Sequence, residues 1–352
     1  MKSWNLLAPI SLLLLPPLLL ALPLGAQNGD YTVPNDFAFQ PQKREQYFQA
    51  WNINFRSEEM RIFLTFAIGN FGPGDLNNGI ALVISGRDAN FRATGEYDDN
   101  SLKANPGENV FIINNVSKLS LNEQGFTARA ELNGYRIRIR IPAPGKGIRL
   151  SPGKIPLFKG KFVKADLPVT DARAEAELEF NGKKYTYSGF AGIDHVLTDV
   201  SPHYYSRRFI LIRSNSPADG VYAGGYIASP DNKGGDYVRL FIMNGERIRT
   251  SGVLLKAVES ESKLNPLPGA FVSDRTNLQF KTDTGECTLE ATAKHFLGGI
   301  DLLWDVTPLL RWVLHFFFAK PFNIHYDGVV HLKCNGFEKT FNAGISYYLL
   351  ND

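Results

Sequence analysis

Residues 189–213 read GFAGIDHVLTDVSPHYYSRRFILIR, and this stretch decides the fold. It closes one alternating segment, breaks at Ser201-Pro202 and opens another at RRFILIR, so it joins two copies of one β module. It also carries an adjacent Asp-His pair, Asp194-His195. In the strand that ends the first module, Tyr185, Tyr187, Ala191, Ile193, His195 and Leu197 share one parity, while Thr186, Ser188, Asp194 and Thr198 share the other. His195 is therefore expected on the apolar face and Asp194 away from it, unless the Gly-rich GFAG hosts a bulge. Two readings of the pair stay open. One is a core histidine satisfied by a carbonyl, with Asp194 anchored by Arg207 or Arg208; the other is a catalytic pair.

On both sides of this hinge the pattern is strand after strand. YFQAWNINF and MRIFLTFAIG form a hairpin, FGPGDLNNG is a Gly/Asn loop, and IALVISG is a further strand. YRIRIRIPA alternates strictly, with Arg136, Arg138 and Arg140 on its wet face. Three similarities then recur in order. The early hairpin and loop match the segment from SRRFILIR to IMNG, LSLNEQGFTARAE matches LQFKTDTGECTLEA, and LEFNGKKYTYSGFAGI matches LKCNGFEKTFNAGI. The fold class expected is all-β: two tandem antiparallel barrel or sandwich modules, residues 44–199 and 200–352.

The 352-residue length suits two medium domains, and 44% hydrophobic with 12% aromatic residues supplies real cores. A net charge of +3 without basic clusters argues against a nucleic-acid partner. Residues 1–26 have a lysine near the start, a Leu-rich run and small residues at Gly25 and Ala26, the layout of a signal peptide. The expected location is exported, periplasmic or secreted. Residues 27–43 read as a flexible polar arm. The two cysteines, Cys287 and Cys334, then most simply form one disulfide that staples two strands.

One segment departs from the strand pattern. Over residues 307–319 a short apolar helix is expected, with Thr307 as N-cap, Pro308 at the first helical position and Lys320-Pro321 as the stop. About 18 Å long, it is too short to span a bilayer. It either plugs a barrel mouth or faces a membrane surface through Trp312, Phe316 and Phe317. The sequence carries no GxSxG elbow, HExxH, P-loop or helix-opening GxGxxG, and His325 and His331 have no carboxylate cluster, so neither a metal nor a cofactor is expected.

The tandem layout, the aromatic strand YFQAWNINF, the loop FGPGDLNNG, and Asp194-His195 followed by Pro202 and RRFILIR resemble a family. It is that of the two-domain lipocalin-like proteins, which includes AttH, the carotenoid 1,2-hydratases and the fungal oxidative-stress survival factor. The resemblance implies two calycin-type barrels with an apolar ligand in or between them. In the hydratases the His-bearing motif continues with Asn-Trp-Gly, whereas here Val196-Leu197-Thr198 comes next. The leading expectation is a carrier of an isoprenoid or acyl lipid, with Trp51, Tyr185, Tyr187, Ile193 and His195 lining its pocket. The alternatives are a hydratase or isomerase, with Asp194 as acid and His195 positioning water, and an envelope protein that docks through the apolar helix.

Overall fold

Alternation along FQAWNINFR sets the geometry from the first strand onward. Trp51, Ile53 and Phe55 are buried in the core, while Asn52, Asn54 and Arg56 face the other way. The computed structural model describes residues 30–350 apart from 43–44, 71–75, 123–124, 217, 231, 233 and 304–319. The first module contains β1 (Phe48–Arg56), β2 (Met60–Gly69), β3 (Asn77–Gly86), β4 (Asn90–Tyr97), β5 (Lys103–Ala104), β6 (Val110–Ile113), β7 (Ser117–Asn122), β8 (Gly125–Leu132), β9 (Tyr135–Ile141), β10 (Ile148–Arg149), β11 (Ile155–Pro156), β12 (Phe162–Phe180) and β13 (Lys183–Thr198). They form one antiparallel sheet whose main path runs β4-β3-β2-β1-β13-β12-β9-β8-β7-β6-β5. The sheet coils around a single core: Trp51 on β1 meets Phe111 on β6 at 4.5 Å, and Phe91 on β4 stacks on Tyr135 of β9 at 3.8 Å.

The second module contains β14 (Ser206–Ser214), β15 (Val221–Ala228), β16 (Tyr237–Asn244), β17 (Arg247–Glu259), β18 (Lys263–Leu267), β19 (Ala270–Ser273), β20 (Arg275–Thr282), β21 (Gly285–Asp301), β22 (Phe322–Cys334) and β23 (Phe337–Leu349). Here β14-β15-β16-β17-β20-β21-β22-β23 close into a barrel, and the β18-β19 hairpin adds Ala270 and Val272 to its core. The duplication is visible in the topology. Each module opens with a four-strand meander whose first strand pairs with the module's last, β1 with β13 and β14 with β23. The hairpin β12-β13 corresponds to β22-β23, as the sequence suggested. The middle match is displaced by one strand: by place in the sheet, β20-β21 corresponds to β8-β9, not β7-β8. Alternating segments of similar composition are easily aligned one strand off.

Cys287 and Cys334 are cross-strand partners on β21 and β22 and form the expected disulfide. The segment expected to be a free arm is instead packed over residues 30–42. Phe37 and Phe39 are buried in the first core, Tyr31 bridges to Ile148, and Asp36 pairs with Arg149 and Lys164. Two phenylalanines among polar neighbours suffice, since each buried ring contributes about 2–3 kcal/mol. The apolar helix expected over residues 307–319, with Trp312, Phe316 and Phe317, and the leader expected over residues 1–26 fall outside the described residues. Among the described residues no helix is long and apolar enough to cross a membrane.

Candidate functional site

The two modules meet through their outer faces, and that contact turns ordinary wet-face residues into buried ones. On the first module the outer face presents Asn54 and Arg56 from β1, Arg61 and Phe63 from β2, Asp171 from β12 and Asp194 from β13. On the second, the barrel interior takes Ile210 and Ile212 of β14 and Ile345 and Tyr347 of β23, which leaves Arg213, Ser346 and Tyr348 facing the first module. A cleft of about 50 Å³ lies in this seam.

Asp194 sits beside it. Arg213 Nη2 donates to its Oδ1 at 2.5 Å, while Asn54 Nδ2 and the Tyr348 hydroxyl donate to Oδ2 at 3.2 and 3.3 Å. Burial pushes this carboxyl up, against the Arg213 charge and the two further donors. The parity read from the sequence holds, because the β1-β13 ladder runs without a register shift and pairs Trp51 with His195 and Asn52 with Asp194. The arginine that anchors Asp194 is Arg213, not Arg207 or Arg208. Those two bind Glu259 instead. Gly192 makes room for it: a Cβ there would collide with Arg213 Nη1 and the Thr170 carbonyl.

Asp171 is the second seam carboxylate. The β12-β13 register shifts between Asp166 and Val169 and again between Val169 and Ala172, so Asp171 stands in an irregular stretch just after Pro168. Its side chain is 1% exposed, and Oδ2 accepts from Arg56 Nη2 at 2.7 Å. Its Oδ1 is buried without a hydrogen-bond partner. Burial pushes this carboxyl up to about 6, opposed by Arg56 and Arg213. Arg56 Nε in turn donates to Asn215 Oδ1 at 2.9 Å. Across the seam His325 stacks on Phe63 with ring centroids 3.7 Å apart and planes 5° apart, and its Nδ1 lies 2.9 Å from Ser346 Oγ. Burial drives His325 down to about 3, so this imidazole is neutral.

His195 lies on the opposite face of β13, inside the first core. Gln49 Oε1 accepts from Gln40 N and the Tyr47 hydroxyl, which orients its Nε2 to donate both to the Ala38 carbonyl and to His195 Nε2 at 2.8 Å. The His195 proton is therefore on Nδ1, 3.3 Å from Asp166 Oδ2. Burial depresses the imidazole, against the Asp166 carboxylate. Both nitrogens are satisfied, as in the core-histidine reading, although by side chains and not by a carbonyl.

The other sequence-selected residues are dispersed. Trp51 is buried 5.4 Å from His195, with its indole donating to the Phe37 carbonyl. Ile193 is in the core. Tyr187 donates to Asp88 and Tyr185 stacks on Phe180, both toward the far end of β13. No cluster of three metal-ligating side chains occurs among the described residues.

No family model and no curated protein matches this sequence. In three dimensions the chain is similar to an AttH-type protein from Nitrosomonas europaea, with a TM-score of 0.64 and 11% identity over 90% of this chain and 96% of that one. It is similar to kievitone hydratase from Nectria haematococca, with a TM-score of 0.56 and 9% identity over 92% and 95% of the two chains. A third similar structure is CghA with Sch210972, at a TM-score of 0.51 and 9% identity over 90% and 98%. At these identities the likeness is one of fold, and it covers both modules. The tandem lipocalin-like architecture that the sequence resembles is the architecture of this chain.

Proposed function

We propose that this protein is a hydratase or isomerase acting on a carbon–carbon double bond at the seam, with Asp171 as the acid and base. One observation carries the reading: a buried carboxyl with a proton affinity near neutrality, one oxygen held by Arg56 and the other left unpartnered beside a cleft. A group of this kind exchanges its proton near pH 6, so it can both give one and take one back. In hydration, the Asp171 proton goes to one alkene carbon, a water oxygen bonds the other, and the proton the water sheds returns to Asp171. Isomerisation uses the same first step and removes a proton from a different carbon.

Asp194 is less suited to that role because both its oxygens are already engaged; it fixes Arg213 and Tyr348 instead. Kievitone hydratase, one of the similar structures, is a hydratase by name, which favours this class over a carrier. The carrier reading finds less support, since the interior of each module is, among the described residues, a cluster of buried apolar side chains.

The test is incubation with an acyclic isoprenoid, geraniol or geranate, in isotopically labelled water, read by mass spectrometry. Label is expected in the product with wild type and is expected to fall by about 10²–10⁴-fold in Asp171→Asn. Undiminished incorporation in a folded Asp171→Asn variant would remove the assignment.

A further inference from the structure

We propose that the substrate taken at the seam carries a carboxylate, held by Arg56 and Arg213. This inference rests on the seam being the active site. Arg56 Nη1, Arg61 Nε, and Arg213 Nε and Nη1 are buried without an acceptor, although each guanidinium is otherwise paired: Arg56 with Asp171, Arg61 with Asp327, Arg213 with Asp194. The Arg213 side chain is 9% exposed, so its own N–H groups cannot turn to bulk water. An unmade hydrogen bond to a buried charged donor is among the costlier defects in a fold, and several around one cleft mark the place of an absent acceptor.

Charge agrees with this. Three arginines face Asp171, Asp194 and Asp327, and when Asp171 holds its proton the seam has one positive charge in excess. A cleft of about 50 Å³ is large enough for a carboxylate head. Phe63, Leu211 and Leu297 in its lining offer an apolar wall to the adjoining carbons.

The placement also changes the chemistry available. With the carboxylate conjugated to the alkene, a water oxygen bonds the β carbon and the π pair moves onto the arginine-held oxygens. The Asp171 proton then passes to the α carbon, and the proton shed by the water restores Asp171. No free carbocation is needed, and a bound carboxylate would itself raise Asp171 further and keep it protonated.

The experiment compares binding of geranate and its neutral amide by calorimetry at low salt. Wild type is expected to bind geranate at least about tenfold more tightly, the size of a charge-assisted pair. Arg213→Gln and Arg56→Gln should each abolish that preference, with folding followed by circular dichroism. Should both variants unfold, Arg213→Lys and the wild-type ratio decide, the lysine being expected to lower the preference. Equal affinity for the two probes, no geranate binding at millimolar concentration, or a preference that survives in the arginine variants would overturn the proposal. Loss of labelling in Asp171→Asn without a carboxylate preference would retain the reaction and discard the bound carboxylate; the converse would do the reverse.

Discussion

Asp171 and His195 illustrate opposite fates for a buried titratable side chain. His195 has both nitrogens occupied, as a core histidine does. His195→Leu is expected to leave Gln49 and Asp166 unsatisfied and to cost about 2–4 kcal/mol in a denaturant titration, with labelling per folded molecule unchanged. Asp171 keeps an unpartnered oxygen, and as an acid it acts only when protonated. Turnover should therefore fall as pH rises through about 6, and this limb should vanish in Asp171→Asn. A pH profile of the initial rate checks both points. His325 gives the reverse dependence in stability. Its folded value of about 3 lies below the unfolded one, so the unfolded chain binds the extra proton and stability is lost as pH falls below about 6.5. By pH 4 the loss reaches on the order of 3 kcal/mol, and His325→Gln should flatten the slope. At this scale the sequence was partly legible. Period-2 parity placed His195 inward and Asp194 outward, but it could not single out Asp171, which a register shift re-aims. Pro168 inside a strand was the available signal, since a proline there marks an irregular ladder.

Among the elements, β13 has two different faces along its length. Thr186 and Ser188 on its outer side are exposed, whereas Gly192 and Asp194 are buried, because the second module covers only the latter part. At Gly192 that cover leaves no room for a side chain. Gly192→Ala should displace the Arg213 guanidinium and reduce labelling at least about tenfold while both modules remain folded, as checked by near-ultraviolet dichroism and activity together. The β21-β22 pair has another kind of support. The disulfide closes a loop with a sequence separation of 47, worth about 4 kcal/mol by chain entropy alone. Reduction, or Cys287→Ser with Cys334→Ser, should lower the melting temperature without altering the carboxylate preference of the seam. The cysteine pairing was readable because two cysteines allow one bridge. The packing of residues 30–42 was not, since Phe37 and Phe39 have no periodic neighbours to reveal a buried face.

For the whole molecule, duplication is what creates a site. Each module alone is a β sheet curled around an apolar core, the second closed into a barrel, and only their contact brings Asp171, Asp194 and Arg56 from one together with Arg213, His325 and Tyr348 from the other. This explains why the strands could be read locally while the site could not. Asn54, Arg56 and Arg213 occupy alternating positions that any solvated sheet face would show, and nothing in a local pattern states that a second sheet will cover them. The measurement that tests the seam most directly is hydrogen exchange of the full chain with and without saturating geranate. Protection is expected to increase on β1, β12, β14 and β23 at the seam, with the β7-β8 hairpin and β20 unchanged. Protection confined to the strands that line one barrel's interior, with the seam unaltered, would contradict it.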